Sequence, residues 1–105
     1  MLIRSACVLA VLAGLTLAAT AQADPTEDLA KARNCFACHS VDNKIVGPAY
    51  KDVAAKFKGR KDAVAYLSGR IRAGSVGDWG QIPMPANSVT EAEAKQLAQW
   101  VLSRK

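Results

Sequence analysis

Two cysteines and a histidine stand together in the segment CFACH at residues 35–39. The C-x-x-C-H spacing is typical of covalent haem attachment, in which two thiols add to the vinyl groups of the porphyrin and the adjacent imidazole ligates the iron. His39 is also the only histidine of the sequence. We therefore expect one haem c, bound through Cys35 and Cys38, with His39 as an axial iron ligand.

Three other interpretations of this motif are weaker. A thioredoxin-like redox pair would need a βαβ context, which the sequence does not indicate. A structural zinc site needs four ligands, and the chain offers only one histidine beside these two cysteines once Cys7 is set aside in the apolar N-terminal segment. A plain disulfide remains possible in an exported protein, but it leaves the adjacent histidine unexplained.

A second iron ligand is expected from Met84, the only methionine other than Met1. It lies between Pro83 and Pro85, which fix the backbone and remove N–H donors, so the segment is stiff and cannot join a helix. An arbitrary methionine more often fills a gap in a core. With no second histidine available, ligation is the better interpretation here. Ligation by His and Met raises the iron potential and leaves no open position, which favours one-electron transfer.

The elements that must position these residues are predicted to be helical, because apolar residues recur with a period near 3.6. No alternating run is long enough for a convincing strand. The segment Ser75–Ser88 contains two glycines and two prolines and is predicted to be a long irregular loop. The predicted helices cover about residues 24–34, 49–57 and 62–74, and a final stretch after Thr90.

Capping signals support the first and last helices. Asp24 followed by Pro25 is typical of a helix start, and the segment Thr90–Glu93 fits a capping box. Phe57 and Trp100 are predicted to be core residues. The few large side chains leave a modest interior, which a flat apolar porphyrin would fill and stabilise.

The first 23 residues have the features of a secretory signal peptide. Arg4 precedes a short apolar run, and Ala21-Gln22-Ala23 matches a cleavage site. The run is shorter than the roughly 20 residues of a membrane-spanning helix. We expect cleavage after Ala23, which leaves residues 24–105 as a single domain located in the periplasm.

The charge of the sequence suggests the type of partner. Its formal net charge is +5, one unit less after loss of Arg4. Such an excess suits an acidic protein partner or simple solubility, and an exported protein rarely meets nucleic acid. If several lysines surround the haem edge, they would accelerate docking. The lysines considered are Lys31, Lys44, Lys51, Lys56, Lys58, Lys61 and Lys95.

Several segments together resemble the bacterial class I cytochromes c, most closely the small c-551/c-552 group. They are the haem motif at residues 35–39, VGPAYKDVA at 46–54, WG at 79–80, IPMP at 82–85 and the tail containing Trp100. The resemblance covers residues 24–105 and implies an all-α cytochrome c fold, with about four short helices wrapped around one covalent haem. Ala86 departs from the group, whose members commonly carry a second proline there, so the ligand loop is expected to be slightly less rigid.

The resemblance also implies roles around the haem. The Pro48 carbonyl would accept the second ring N–H of His39, and Arg70 and Trp79 would approach a haem propionate. Asn87 would place its side-chain amide against the Met84 sulfur. From the residues alone, Pro48 and Asn87 fit turns, Trp79 fits a core and Arg70 fits a solvated helix face.

These expectations describe a monomeric periplasmic electron carrier that transforms no substrate. Its donor would be a quinol-oxidising cytochrome complex, and its acceptor a cd1-type nitrite reductase, a terminal oxidase or a cytochrome peroxidase. No stable membrane insertion is expected. The alternative is a haem enzyme or gas sensor in which Met84 leaves the iron, and binding of carbon monoxide by the reduced protein would distinguish the two.

Overall fold

The computed structural model of the chain describes residues 24–105, together with residues 11, 13 and 14. The predicted signal peptide, including Cys7, otherwise lies outside the described residues and stays a prediction. Among the described residues, no helix has the length and apolar character required to cross a membrane. The elements in chain order are α1 (Pro25–Ala32), a 3₁₀ turn (Cys35–Ala37), α2 (Tyr50–Lys56), α3 (Ala63–Ala73), β1 (Ser75–Gly77), β2 (Gly80–Met84) and α4 (Glu91–Leu102).

The starts of α1 and α4 are fixed by local hydrogen bonds, as predicted. Asp24 accepts the backbone N–H of Thr26 at 2.9 Å, and Pro25 occupies the first turn of α1. At α4, the Thr90 hydroxyl accepts the N–H of Glu93 at 3.1 Å, and the Glu93 carboxylate accepts the N–H of Thr90 at 2.9 Å. Both caps satisfy N–H groups that the first turn of a helix leaves unpaired. The predicted capping box is therefore confirmed.

The end of α1 redirects the chain into the cysteine motif. α1 ends at Ala32, slightly before the predicted position, because Asn34 adopts a left-handed conformation with φ of 61°. Asparagine is one of the few residues that accept this conformation at low cost. The chain then turns tightly, and the N–H groups of Cys38 and His39 both donate to the carbonyl of Cys35, at 3.2 and 3.0 Å.

An aromatic cluster forms the main core between the 3₁₀ turn, α2 and α4. The rings of Phe36, Tyr50 and Trp100 meet edge to face, with centroids separated by 5.4 to 6.2 Å. Such edge-to-face contacts stabilise a core beyond simple area burial. Phe57 joins the cluster, and both Phe57 and Trp100 are buried as predicted. The indole N–H of Trp100 donates to Asp24 at 2.9 Å, which ties α4 to the start of α1.

The prediction of an irregular loop over residues 75–88 was wrong for residues 75–84. β1 and β2 form an antiparallel hairpin in which Ser75 pairs with Met84 and Gly77 with Gly80. Positive φ angles at Gly77 and Gly80, 95° and 118°, allow the two residues between them to close the turn. The strands are short and largely exposed, and β2 contains Pro83, so they lack the alternating pattern by which a strand is predicted.

Candidate haem site

A cavity of about 370 Å³ lies between the 3₁₀ turn, the helices α2, α3 and α4, and the hairpin. It brings together residues that are far apart in the sequence. The predicted site residues that line it are Cys35, Cys38, His39, Pro48, Arg70, Trp79 and Met84. Asn87 is not among the residues lining the cavity.

The walls of the cavity are predominantly apolar. Leu67 and Ile71, both on α3, line it and are only partly buried by the protein. On the hairpin, Val76 and Ile82 also line it, with 65 % and 68 % of their surfaces exposed. Large apolar side chains around one concavity favour a large apolar ligand, since burial contributes about 25 cal/mol per Å². A porphyrin has this character.

The His39 ring is held by three neighbours. Its Nδ1 lies 2.9 Å from the carbonyl oxygen of Pro48, and the ring stacks on Tyr50 with centroids 4.9 Å apart. A Cβ atom at Gly47 would lie 2.5 Å from Cε1 of His39, so only glycine fits there. Donation from Nδ1 to a carbonyl fixes the tautomer in which Nε2 keeps its lone pair. The ring is thus oriented to bind iron through Nε2.

Sequence reasoning missed the contributions of Gly47 and Tyr50 to this arrangement. Both lie within the segment at residues 46–54 that carried the resemblance. The glycine could have been suspected, because glycine is often found where another group approaches the backbone closely. The stacking of Tyr50 on His39 depends on a packing contact that no local pattern encodes.

The two cysteines are partly buried and lie at the start and just past the end of the 3₁₀ turn. The turn keeps both of them on the cavity wall, next to His39. Burial raises the pKa of the Cys35 thiol and, more strongly, the pKa of the neighbouring Tyr50 hydroxyl. The Tyr50 hydroxyl is therefore protonated at physiological pH.

Met84 ends β2 and is partly buried on the cavity wall. Its backbone is fixed by pairing with Ser75 and by close contact with Gly74. A Cβ atom at Gly74, where φ is 87°, would lie 2.7 Å from the Met84 carbonyl oxygen. Like Gly47, Gly74 permits a close approach that the sequence did not indicate, because the sequence indicated only the end of a helix near this position. Because Gly74 has no side chain, the Met84 segment can approach α3.

Arg70 lines the cavity and has a buried hydrogen-bond donor. Its Nε is buried and has no hydrogen-bond partner among the described residues. Buried N–H groups without an acceptor are rare and costly, by about 1–3 kcal/mol. A carboxylate at the cavity edge would satisfy this donor, and haem carries two propionates. The cavity walls and the Arg70 donor therefore both fit a haem group.

Trp79 lies at the rim of the cavity, at the turn of the hairpin, with 42 % of its surface exposed. Trp79 is therefore not a core residue, which was the alternative suggested by the residues alone, and its location suits the propionate role that the resemblance implied. The ammonium of Lys56 lies 4.4 Å from its ring centroid. This distance is within the range of a cation–π interaction.

Asn87 has partners other than the predicted one. Its amide nitrogen donates to the carbonyl oxygens of Ile71 and Pro85, at 3.0 and 3.2 Å. Its backbone N–H also donates to Ile71, at 3.0 Å. Across residues 24–105, no hydrogen bond joins this amide to the Met84 sulfur. In this structure Asn87 ties the ligand loop to the end of α3.

The lysines do not form a ring around the cavity. Lys44 lines it, and Lys56 reaches its rim through Trp79. Lys51, Lys58 and Lys61 line a separate groove beside α2 and the C-terminus, together with Arg104. The lysines are therefore divided between the cavity and this groove, and neither Lys31 nor Lys95 lines either of them.

Comparison with known proteins agrees with this fold and site. The family model for cytochrome c matches residues 23–105. Cytochrome c-552 of Hydrogenobacter thermophilus is 57 % identical over 94 residues, covering 90 % of this chain and 89 % of the relative. Cytochrome c-551 of Pseudomonas aeruginosa is 56 % identical over 92 residues, covering 88 % of each chain. The crystal structure of Nitrosomonas europaea cytochrome c552 matches with a TM-score of 0.73 and 57 % identity, covering 75 % of this chain and 99 % of that one.

The chain therefore belongs to the cytochrome c family, in its small class I c-551/c-552 group. The predicted fold class is confirmed, with the small hairpin as an addition to the four helices. Membership implies one covalently bound haem c and an electron-carrier role.

Proposed function

We propose that this protein is a monomeric periplasmic one-electron carrier in which His39 and Met84 are the two axial ligands of the haem iron. The observation that carries the proposal is that these two side chains, from distant segments, line the same cavity as Cys35 and Cys38. Two protein ligands leave no position for substrate or oxygen. Such a protein transfers electrons and is not an enzyme.

The residues around the cavity would hold the haem through different interactions. The bound haem supplies a one-electron ferric–ferrous couple. Cys35 and Cys38 form the covalent tethers. The Pro48 carbonyl orients His39 and raises its basicity through the hydrogen bond to Nδ1. The β2 segment holds Met84, whose flanking prolines reduce the entropy lost on ligation.

Arg70 and Trp79 would hold the propionate side of the haem. Arg70 offers its buried Nε donor, and Trp79 lies at the rim with its indole N–H available to an acceptor. Donors aimed at carboxylates stabilise their charged form. The same donors weaken the effect of the carboxylate charges on the iron. The two residues thereby contribute to the reduction potential.

The signal peptide at residues 1–23, with cleavage after Ala23, supports export to the periplasm. There the protein would take electrons from a quinol-oxidising cytochrome complex. Its acceptor would be a reductase such as a cd1-type nitrite reductase, a terminal oxidase or a peroxidase. The basic surface, with a formal net charge of +5 in the full sequence, favours acidic docking surfaces.

A kinetic experiment with the mature holoprotein tests this proposal. Reduced protein is mixed in a stopped-flow instrument with each periplasmic reductase and oxidase of its host, over a series of salt concentrations. We expect rapid one-electron oxidation by at least one partner, with a rate that falls as salt rises. No oxidation by any of them would contradict the carrier role. A rate that is independent of salt would contradict only the electrostatic docking.

A further inference from the structure

Asp78 and Trp79 form the tip of the hairpin. Side chains from two helices contact this tip, and these contacts do not involve the haem. This tip carries the exposed Trp79 ring at the cavity rim. The two strands behind it have three and five residues. A hairpin this short is only marginally stable by itself. Its position must therefore be set by contacts with neighbouring elements. Gly74 and Asn87 supply such contacts at the Met84 end, and the tip makes others of its own.

Lys56, at the end of α2, makes two contacts with the tip. Its ammonium donates to the carbonyl oxygen of Asp78 at 2.9 Å and lies 4.4 Å from the Trp79 ring centroid. One side chain thus contacts both residues of the turn. Other lysines near α2, such as Lys58, line the separate groove instead.

Tyr66, on α3, holds the tip from a second helix. Its hydroxyl donates a hydrogen bond to the Asp78 carboxylate. This bond raises the pKa of the Tyr66 hydroxyl, so the hydroxyl stays protonated and able to donate at neutral pH. The tip is therefore bonded to α2 through its backbone and to α3 through its side chain.

The Tyr66 ring is itself supported by neighbours. It packs against Phe57 with ring centroids 5.5 Å apart, and the Arg60 guanidinium lies 4.3 Å from its centroid. Arg60 is in turn held by Asp62, with its Nε 2.6 Å from the carboxylate. A ring packed on several sides has a restricted orientation, which keeps its hydroxyl directed at Asp78.

We propose that Lys56 and Tyr66 are positioning residues that clamp the hairpin tip to α2 and α3, so that Trp79 is held at the propionate edge of the haem. This inference rests on the proposed haem site but not on the identity of any redox partner. The clamp is formed by Asp78, which accepts from Lys56 through its backbone and from Tyr66 through its side chain.

Two variants of the ferrous holoprotein test the clamp. Tyr66→Phe removes only the hydroxyl, and Lys56→Gln removes the ammonium. Amide hydrogen exchange of residues 75–84 and the indole N–H signal of Trp79 are followed by NMR, and the reduction potential is measured by voltammetry. We expect the hairpin amides to exchange on the order of fivefold faster in each variant, as befits the loss of one hydrogen bond. The Trp79 indole signal should shift in both.

Matched controls separate the clamp from general effects. Ser68→Ala removes a hydroxyl from α3 whose hydrogen bond, at 2.7 Å to Val64, stays within the helix. Lys58→Gln removes a charge near Lys56 that lines the other groove. Neither should alter hairpin exchange or the Trp79 signal. The potential should fall in Lys56→Gln by more than in Lys58→Gln, since a charge at the cavity rim is nearer to the iron.

Unchanged hairpin exchange and an unchanged Trp79 signal in both test variants would overturn the clamp. Equal effects in the control variants would overturn it as well. These readouts do not depend on electron transfer to a partner. A failure of the clamp and a failure of the carrier role are therefore distinguishable.

Discussion

Two walls of the cavity, one from α2 and α4 and the other from the hairpin, differ in how they are stabilised. The helical wall, from α2 and α4, includes Tyr50 and Trp100, which are buried against each other and against Phe36. On the hairpin wall, Val76 and Ile82 have most of their surface uncovered by protein. The helical wall is thus packed by the protein itself. The hairpin wall depends on the clamp at its tip and on contact with the haem.

This difference suggests a division of roles. The rigid wall positions the cysteine motif and His39, whose ring stacks on Tyr50. The hairpin wall carries Met84 and Trp79, which complete the haem site from a segment with little packing of its own. Changes in the haem site should therefore loosen the hairpin wall first, whereas changes in the helix caps should lower stability without affecting it selectively.

The largest effect is expected from removing both haem tethers. In Cys35→Ala/Cys38→Ala, the apolar walls lose their covalent ligand, and we expect the free energy of unfolding to fall by more than about 3 kcal/mol. Hydrogen exchange should show that residues 75–84 lose protection before α4 does. Equal loss of protection in the hairpin and in α4 would contradict the contrast between the walls.

A large effect is also expected from Gly47→Ala. The added Cβ would lie 2.5 Å from the His39 ring, so the ring or the loop must move. We expect a lower reduction potential or partial loss of the His39 ligand, with a loss of stability of roughly 1–3 kcal/mol. Gly69→Ala is the control, because a Cβ there has no neighbour within 4 Å and alanine favours helix α3. Similar behaviour of the two variants would show that Gly47 is not needed for close approach to His39.

A moderate effect is expected from Thr90→Ala, which removes the capping box of α4. Loss of the cap should cost about 1 kcal/mol in the free energy of unfolding, measured by denaturant titration. Thr90→Ser keeps the hydroxyl and should retain most of the stability. The reduction potential should stay unchanged in both, since α4 contributes only to the helical wall. A shift of the potential would mean that the walls are more strongly coupled than we infer.

The smallest effect is expected at the Asp24 carboxylate. Hydrogen bonds from the Thr26 N–H and from the Trp100 indole hold the pKa of Asp24 below its usual value. Its contribution is therefore present above the pKa of the unfolded chain, about 3.9, and is lost as pH falls through the lower folded value. Asp24→Asn should be less stable than the parent at pH 7 and equally stable at a pH below the folded value. A difference that is independent of pH would contradict this assignment.

The features predicted correctly from sequence were those encoded locally. Asp24 and the Thr90–Glu93 box determine helix starts through neighbours in the sequence. The haem c that family membership implies was predicted from an equally local motif of five consecutive residues. The hairpin was missed because its turn depends on two glycines and on distant contacts from Lys56 and Tyr66.

The residues around the haem were harder to predict for the same reason. The hydrogen bonds of Asn87 to Ile71 join positions that become neighbours only after folding. Stacking of Tyr50 on His39 also depends on the packed loop. Local patterns suggested the candidate tethers and ligands, and the resemblance suggested the Pro48 carbonyl, whereas the contributions of Gly47, Tyr50 and Gly74 required the structure.

The central claim is that His39 and Met84 occupy both axial positions of the haem iron. Binding of carbon monoxide tests this claim most directly. The gas is added to the reduced wild-type holoprotein at neutral pH, and the visible spectrum is followed. With Met84 bound to the iron, the spectrum should stay unchanged over the time in which an open haem would bind the gas completely. Rapid formation of a carbon monoxide complex would show an accessible iron position and contradict the proposed carrier.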